Sequence, residues 1–316
     1  MPLHSRLPNT PPRGVRLEDE NVIYNYKDER IVWVVGNDIV KMNKYDAQNG
    51  EVGNTEFIEK NFPSIPVPLI LDEWQSPDRE WHYVMMTRVR GASLSRAWPS
   101  LTADQKARLA VDVAGHMRTL ARFTSSYMRG VQGKPLINNC FVPGRSRRHL
   151  TGIFRTDDDV FDGLFLPEFR RVGLSQKRID LLRLCMPPCE GQYALYHGDL
   201  YTGNLMVDGR SGRLAGIIDW ESFGYWPRWF HYARLSWEVN RLDGEWKQVL
   251  AAVVKPDIPH ATHGEVWWNA VTVLLDENPK SRRARDWLDL LHDYLQGYPL
   301  VVPLERYQSY ASKDYR

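Results

Sequence analysis

An α+β fold in two unequal parts is what this sequence predicts: a small antiparallel sheet with one helix, then a longer and mostly helical region. Three observations lead there. Short runs of β-branched and aromatic residues parted by polar turns fill residues 22–42. Gly91 marks a change of character. Beyond it, apolar residues recur at helical spacing.

Residues 1–20, with Pro8, Pro11 and Pro12 and no apolar core segment, read as a flexible proline-rich tail that is neither a secretory signal nor an anchor. The runs Val22–Tyr26, 31–35 and 39–42 are separated by Lys27-Asp28-Glu29 and Gly36-Asn37-Asp38, which predicts a meander with Lys41 at the end of its third strand. Glu51–Asn61 suits a helix that must stop before Pro63. Ile65-Pro66-Val67-Pro68 then leads through an extended stretch to a strand over 81–89, closing a first domain over 21–91.

The second domain, 92–316, opens with Thr102-Ala103-Asp104-Gln105, the spacing of a capping box, and Leu109, Val113, Met117 and Leu120 follow on one helical face. Residues 138–162, with Gly144, Gly152 and charge clusters, read as irregular, and a helix over 174–184 ends at Cys185-Met186-Pro187-Pro188. Leu205–Val207 and 214–218 flank Asp208-Gly209-Arg210-Ser211-Gly212 in a hairpin pattern. Helices are expected again over 237–254, 264–275 and Arg282–Leu295.

Composition narrows the function. With 316 residues and 43% hydrophobic content the chain can bury a proper core. A formal charge of +2, from 41 basic and 39 acidic residues, argues against a nucleic-acid or membrane-surface partner. Cys140, Cys185 and Cys189, odd in number and without doubled C-x-x-C spacing, fit a reducing compartment and a packing role. No window offers the ~18 uncharged apolar residues of a membrane span, so a soluble, cytoplasmic protein with no obligate protein partner is expected.

The chemistry concentrates in His197-Gly198-Asp199-Leu200-Tyr201-Thr202-Gly203-Asn204 and in Gly216-Ile217-Ile218-Asp219-Trp220-Glu221, whose Asp219 follows Asn204 by fifteen residues. The hairpin between them would bring Asn204 and Asp219 to neighbouring strand ends, where two metal ligands emerge side by side. One carboxylate to orient a hydroxyl, with an amide and a second carboxylate for magnesium, is equipment for phosphoryl transfer. Asp199 is the candidate base, Asn204 and Asp219 the candidate metal ligands, and His197 a hydrogen-bonded support. A plain polar turn between a helix and a hairpin is the bland alternative. The concurrence of three such residues, the hairpin and an upstream lysine favours chemistry.

His197-Gly198-Asp199-Leu200-x-x-x-Asn204, Ile218-Asp219-Trp220-Glu221 and Gly224-x-x-Pro227 together resemble the aminoglycoside phosphotransferase and choline kinase superfamily, most of all its fungal branch. Ser64-Ile65-Pro66-Val67-Pro68 and the segment Val84-Met85-Met86-Thr87-Arg88-Val89-Arg90-Gly91-Ala92-Ser93-Leu94 extend the likeness, which runs from about residue 22 to about residue 235. The resemblance implies a two-lobed protein-kinase-like fold, a small antiparallel-sheet N-lobe and a larger mostly helical C-lobe, with ATP and magnesium in the cleft. It implies that Lys41 contacts the α and β phosphates and pairs with Glu51, that Thr87 and Val89 offer backbone groups to adenine, and that Met86 backs that pocket.

The chain departs from the pattern in places. Tyr26-Lys27-Asp28-Glu29-Arg30 has no glycine where protein kinases cover the phosphates, Gly198 replaces the arginine of H-R-D, and no A-P-E follows Asp219. Control by a phosphorylated loop is not expected. His231 stands where the resemblance implies an acidic residue, so any bracing of the catalytic loop must come from elsewhere.

The acceptor end is aromatic, with Trp226, Trp229, Trp237, Trp246, Trp267, Trp268, Trp287, Tyr294 and Tyr298. From residue 238 to 316 there are twelve acidic and ten basic residues, too even for a pocket built around a polycation. The expected acceptor is a small hydroxylated metabolite with an apolar or aromatic body held against tryptophan faces. Arg145, Arg147 and Arg148, and again Arg282, Arg283 and Arg285, read as solvated clusters, and His260 and His263 as surface histidines near Glu265. Two competing readings are a catalytically silent kinase-like protein that binds nucleotide or metabolite, and the same cleft used for non-kinase chemistry.

Overall fold

The alternating runs at the amino-terminal end fold as expected and extend further. In the computed structural model, which describes residues 11–12, 14–44, 50–138, 141–142, 149–189, 192–276 and 281–297, five strands form one antiparallel sheet. They are β1 (Val22–Tyr26), β2 (Arg30–Val35), β3 (Asp38–Lys44), β4 (Ile70–Gln75) and β5 (Trp81–Thr87), in the order β1-β2-β3-β5-β4. Lys41 is not at a strand end. It sits inside β3, opposite Val32 on one side and Val84 on the other. The unforeseen strand, β4, carries Asp72 and Glu73 in its middle, which hid it from an apolar pattern and suits an edge.

Three residues, Lys27, Asp28 and Glu29, connect β1 to β2 in a tight turn closed by the Glu29 N–H on the Tyr26 carbonyl at 2.9 Å, with Lys27 and Asp28 both at positive φ. Asn25 and Asp28 stabilise it by exchanging hydrogen bonds of 2.8 and 3.0 Å. Trp33, Val40, Met42 and Trp74 form the sheet's own core, against which Val15 and Leu17 pack. Helix α1 (Glu51–Asn61) instead turns Ile58 into the large core of the other lobe.

The chain leaves the sheet after Thr87, and Ala92–Ser93 pairs with Val207 and Met206. Gly91 makes this crossing possible: its φ is +124°, and a Cβ there would lie 2.3 Å from the Val207 carbonyl oxygen. Gly91→Ala is therefore expected to lower the unfolding free energy by about 2 kcal/mol or more, read by urea titration.

In the larger lobe the Ala103–Ala121 helix shows both capping-box bonds, Gln105 N–H to Thr102 Oγ1 at 3.2 Å and Thr102 N–H to Gln105 Oε1 at 2.9 Å. Its apolar face is buried at Leu109, Val113, Met117 and Leu120. The carboxyl-terminal helices are Arg241–Val254, Ala261–Asp276 and Arg282–Leu295. Part of the stretch read as irregular is helical: Thr156 caps Asp157–Val160, which continues to Arg171. The three aspartates of that first turn looked like a loop yet suit a helix N-terminus.

The tryptophans are core rather than binding surface. Trp226, Trp229, Trp246, Trp267 and Trp268 are fully buried, Trp287 nearly so, and several donate their indole N–H to carbonyls, as Trp267 does to Leu182 at 2.7 Å. Only Trp237 of that series is half-buried. His263 is likewise structural, since its Nε2 lies 2.8 Å from the Cys185 carbonyl and its Nδ1 3.1 Å from the Tyr294 hydroxyl. It is on the Ala261–Asp276 helix, not in a turn, whereas His260 is exposed. Cys185 and Cys189 are buried and unbridged, and burial raises both thiols. Arg145, Arg147, Arg148, Cys140 and Tyr298 lie outside the described residues. Among the described residues no helix is long and apolar enough to cross a membrane.

Candidate active site

The hairpin pairs Leu205 with Ile217, and one further step is made by the Ile218 N–H on the Asn204 carbonyl at 3.0 Å. Asn204 and Asp219 therefore leave the same end of the ladder, as the spacing predicts. Asp219 adopts a left-handed backbone with φ 66°, which turns the chain sharply into the Trp220–Ser222 turn.

The buried strand Tyr193–Tyr196 delivers His197 to the same place. His197 Nε2 faces the Ile218 carbonyl at 3.0 Å, and its Nδ1 accepts the Asp199 N–H at 3.2 Å. Burial lowers the imidazole pKa, opposed by the charge of Asp199, so the ring is a neutral strut with its proton on Nε2. Gly198 has φ +87°, and a Cβ would come within 2.7 Å of the Ser222 carbonyl oxygen. The arginine of H-R-D has no room here.

Asp199 Oδ1 takes a 2.7 Å ion pair from Arg234, a residue only 2% exposed whose guanidinium lies 4.3 Å from the centre of the Trp237 ring. Asn204 Nδ2 donates to the Asp199 carbonyl at 2.9 Å, which fixes the amide. The loop is braced from the Arg241–Val254 helix: buried Asp243 accepts the Thr202 N–H and the Val239 N–H, each at 3.0 Å, and pairs with Lys247 at 2.7 Å. His231 takes no part in this bracing. It stacks on Tyr196, with ring centroids 4.3 Å apart.

Across the cleft, Lys41 Nζ holds Glu51 Oε1 and Asp219 Oδ1, both at 2.7 Å. Burial works to lower the Lys41 ammonium, but the two carboxylates outweigh it and hold the group above the ordinary lysine range. Burial likewise pushes the Asp219 carboxyl up, and Lys41 and Arg30 more than reverse this, holding it at about 2. Arg30 reaches over from β2, giving Glu221 two hydrogen bonds of 3.1 and 3.0 Å and standing 3.6 Å from Asp219. Oxygens of Glu51, Asp219 and Glu221 all lie within 4.8 Å of one another, around these two cations.

Met86 is buried in β5, beside Ile39 and Ile70 of its neighbours. The Thr87 N–H donates to the Leu69 carbonyl at 2.9 Å, so the expectation of backbone groups from Thr87 is narrowed to its carbonyl. Val89 is half-buried against Gly216, whose added Cβ would meet it at 2.7 Å.

Arg30, Glu221, Arg234, Asp243 and Lys247 were not singled out by the sequence. Glu221, two residues beyond Asp219, was in view within the motif. The others look like surface charges until the fold buries them.

No curated protein sequence matches the chain. Solved structures share its fold. One is a thermostable mutant of aminoglycoside phosphotransferase APH(4)-Ia in ternary complex with AMP-PNP and hygromycin B, with TM-score 0.58 and 16% identity over 88% of this chain and 95% of that one. The gentamicin complex of APH(2")-IIa gives TM-score 0.51 and 17% identity over 90% and 98%. The GDP complex of wild-type aminoglycoside 2'-phosphotransferase-IIIa gives 0.51 and 18% over 87% and 90%. At such identities the likeness is one of fold. The profile of the phosphotransferase enzyme family, however, matches residues 50–258, well over half of the sequence. With its two-lobed kinase-like fold, the chain belongs to the phosphotransferase enzyme family.

Proposed function

We propose that this protein transfers the γ-phosphoryl group of ATP, with magnesium, to a hydroxyl of a small metabolite in the cytoplasm. The observation that carries the reading is the buried Lys41 ammonium drawn onto both Glu51 and Asp219, a cation positioned for phosphate opposite the carboxylate Asp199. In this reading residues 21–91 hold the nucleotide and residues 92–316 the acceptor.

Asn204 and Asp219 offer oxygen donors at adjacent strand ends, and Asp219 stays ionised at neutral pH, a donor set that fits a hard divalent cation. Magnesium, when bound there, supplies charge neutralisation for the phosphates. Lys41, steadied by Glu51, contacts the α and β phosphates. Thr87, through its carbonyl, and Val89 hold the base, with Met86 behind it. Asp199, with one oxygen fixed by Arg234, orients the acceptor hydroxyl through the other and takes its proton. His197 keeps the loop in place without moving a proton. The acceptor's apolar body rests on Trp237, a half-buried ring stacked by the Arg234 that holds Asp199, since the other tryptophans of the carboxyl-terminal series are core.

A metabolite library incubated with magnesium and ATP, read for phosphate-bearing mass shifts, tests this. Phosphorylated alcohols of apolar or aromatic character are expected. A library in which aminoglycosides alone are converted defeats the acceptor class, and nucleotide binding without any transfer favours the silent binder.

A further inference from the structure

The turn between β1 and β2 lacks the glycines of a phosphate cover, and its amides are already engaged. The Asp28 N–H goes to Asn25 Oδ1 at 3.0 Å and the Glu29 N–H to the Tyr26 carbonyl at 2.9 Å. Lys27 is exposed, with its ammonium over the Tyr26 ring. What a glycine-rich cover does through its backbone is left here to a side chain. The next residue along is Arg30.

Two of the three guanidinium nitrogens of Arg30 are fixed. Nε donates to Asn43 Oδ1 at 2.9 Å, on a fully buried residue of β3, and Nη2 donates to both oxygens of Glu221 at 3.1 and 3.0 Å. The third, Nη1, donates no hydrogen bond among the described residues and stands 3.6 Å from Asp219 Oδ2, too far for one. The side chain keeps 25% of its surface exposed, so a ligand can reach it. A rigidly held guanidinium with an unspent arm thus lies beside the carboxylate assigned to the metal. Two positive charges brought this close repel each other unless anionic oxygens lie between them, and phosphate oxygens that share a cation with Asp219 supply them.

We infer that Arg30 binds the phosphates of the nucleotide through Nη1, taking the place of a glycine-rich cover. This rests on the reading of the cleft as a magnesium-nucleotide site. Held by Asn43 and Glu221, the planar group is set for phosphate before the ligand arrives, so little side-chain freedom is lost on binding.

Calorimetric titration of the full chain with AMP-PNP and magnesium, and with adenosine by displacement, tests the inference. Arg30→Gln should weaken AMP-PNP binding by at least about ten-fold and leave adenosine within about two-fold. Arg30→Lys, which keeps the charge and gives up the fork, should fall between Arg30→Gln and the parent. Glu221→Gln breaks the charged bridge between the lobes but keeps the guanidinium on Asn43, and should cost AMP-PNP no more than about three-fold. Full AMP-PNP affinity in a folded Arg30 variant overturns the inference. So does an equal loss for adenosine, or a loss in Glu221→Gln as large as in Arg30→Gln, since each would trace the effect to lobe geometry. If the parent itself fails to bind AMP-PNP with magnesium, the nucleotide reading falls and this inference with it.

Discussion

Asp199→Asn is expected to cut turnover by about 10²–10⁴-fold while leaving magnesium-ATP affinity within a few-fold of the parent. The substitution keeps the shape of the side chain and removes its capacity to accept a proton. It also leaves the Lys41, Glu51 and Asp219 constellation intact, because Asp199 contacts Arg234 and Asn204 rather than that group. Product formation by mass spectrometry and nucleotide binding by calorimetry separate the two effects. Buried Arg234 would face a neutral amide in place of the Asp199 carboxylate, so a melting curve must accompany the kinetics. Unchanged turnover in a folded variant removes Asp199 from the mechanism.

The largest effect on stability is expected at Asp243, far less conspicuous in the sequence. Asp243→Ala strands the Thr202 and Val239 N–H groups and leaves the Lys247 ammonium buried without its carboxylate. Removing one partner of such a pair costs about 3–5 kcal/mol, because an uncompensated charge remains inside. Burial, aided by repulsion from Arg234, already lowers the Lys247 pKa against the pull of Asp243. Without that pull the lysine is driven towards its neutral form. The double variant Asp243→Ala/Lys247→Met should recover much of the loss, since it removes the stranded charge as well. Urea unfolding of the two single variants and the double one measures the coupling. If the double variant is as unstable as the sum of the single ones, the pair is not the source.

The sequence exposed local features well. The capping box at Thr102, the bounds of α1 and the hairpin that aligns Asn204 with Asp219 each depend on residues close in the chain, whose spacing is readable directly. What it concealed was long-range. Arg30 looks like an ordinary charge at the start of a strand, and its partner Glu221 lies 191 residues away. Lys41 looked like a strand end because Asn43 and Lys44 beside it are polar, yet Asn43 is fully buried and the strand continues. The tryptophans misled in the other direction, because aromatic content alone does not tell a binding surface from a core. Gly198 and His231 appeared as departures, and only the packing explains the first, through the closeness of Ser222.

Arg30 belongs to the small lobe and Glu221 to the large one, and their forked contact is mostly shielded from water. Swinging the lobes apart must break that clasp. The clasp favours a closed cleft, and a nucleotide is expected to enter as it lets go. Its rate of entry is then governed by how often the clasp lets go, and ionic strength, by loosening the grip, would quicken capture even as it weakens the pull on the incoming phosphates.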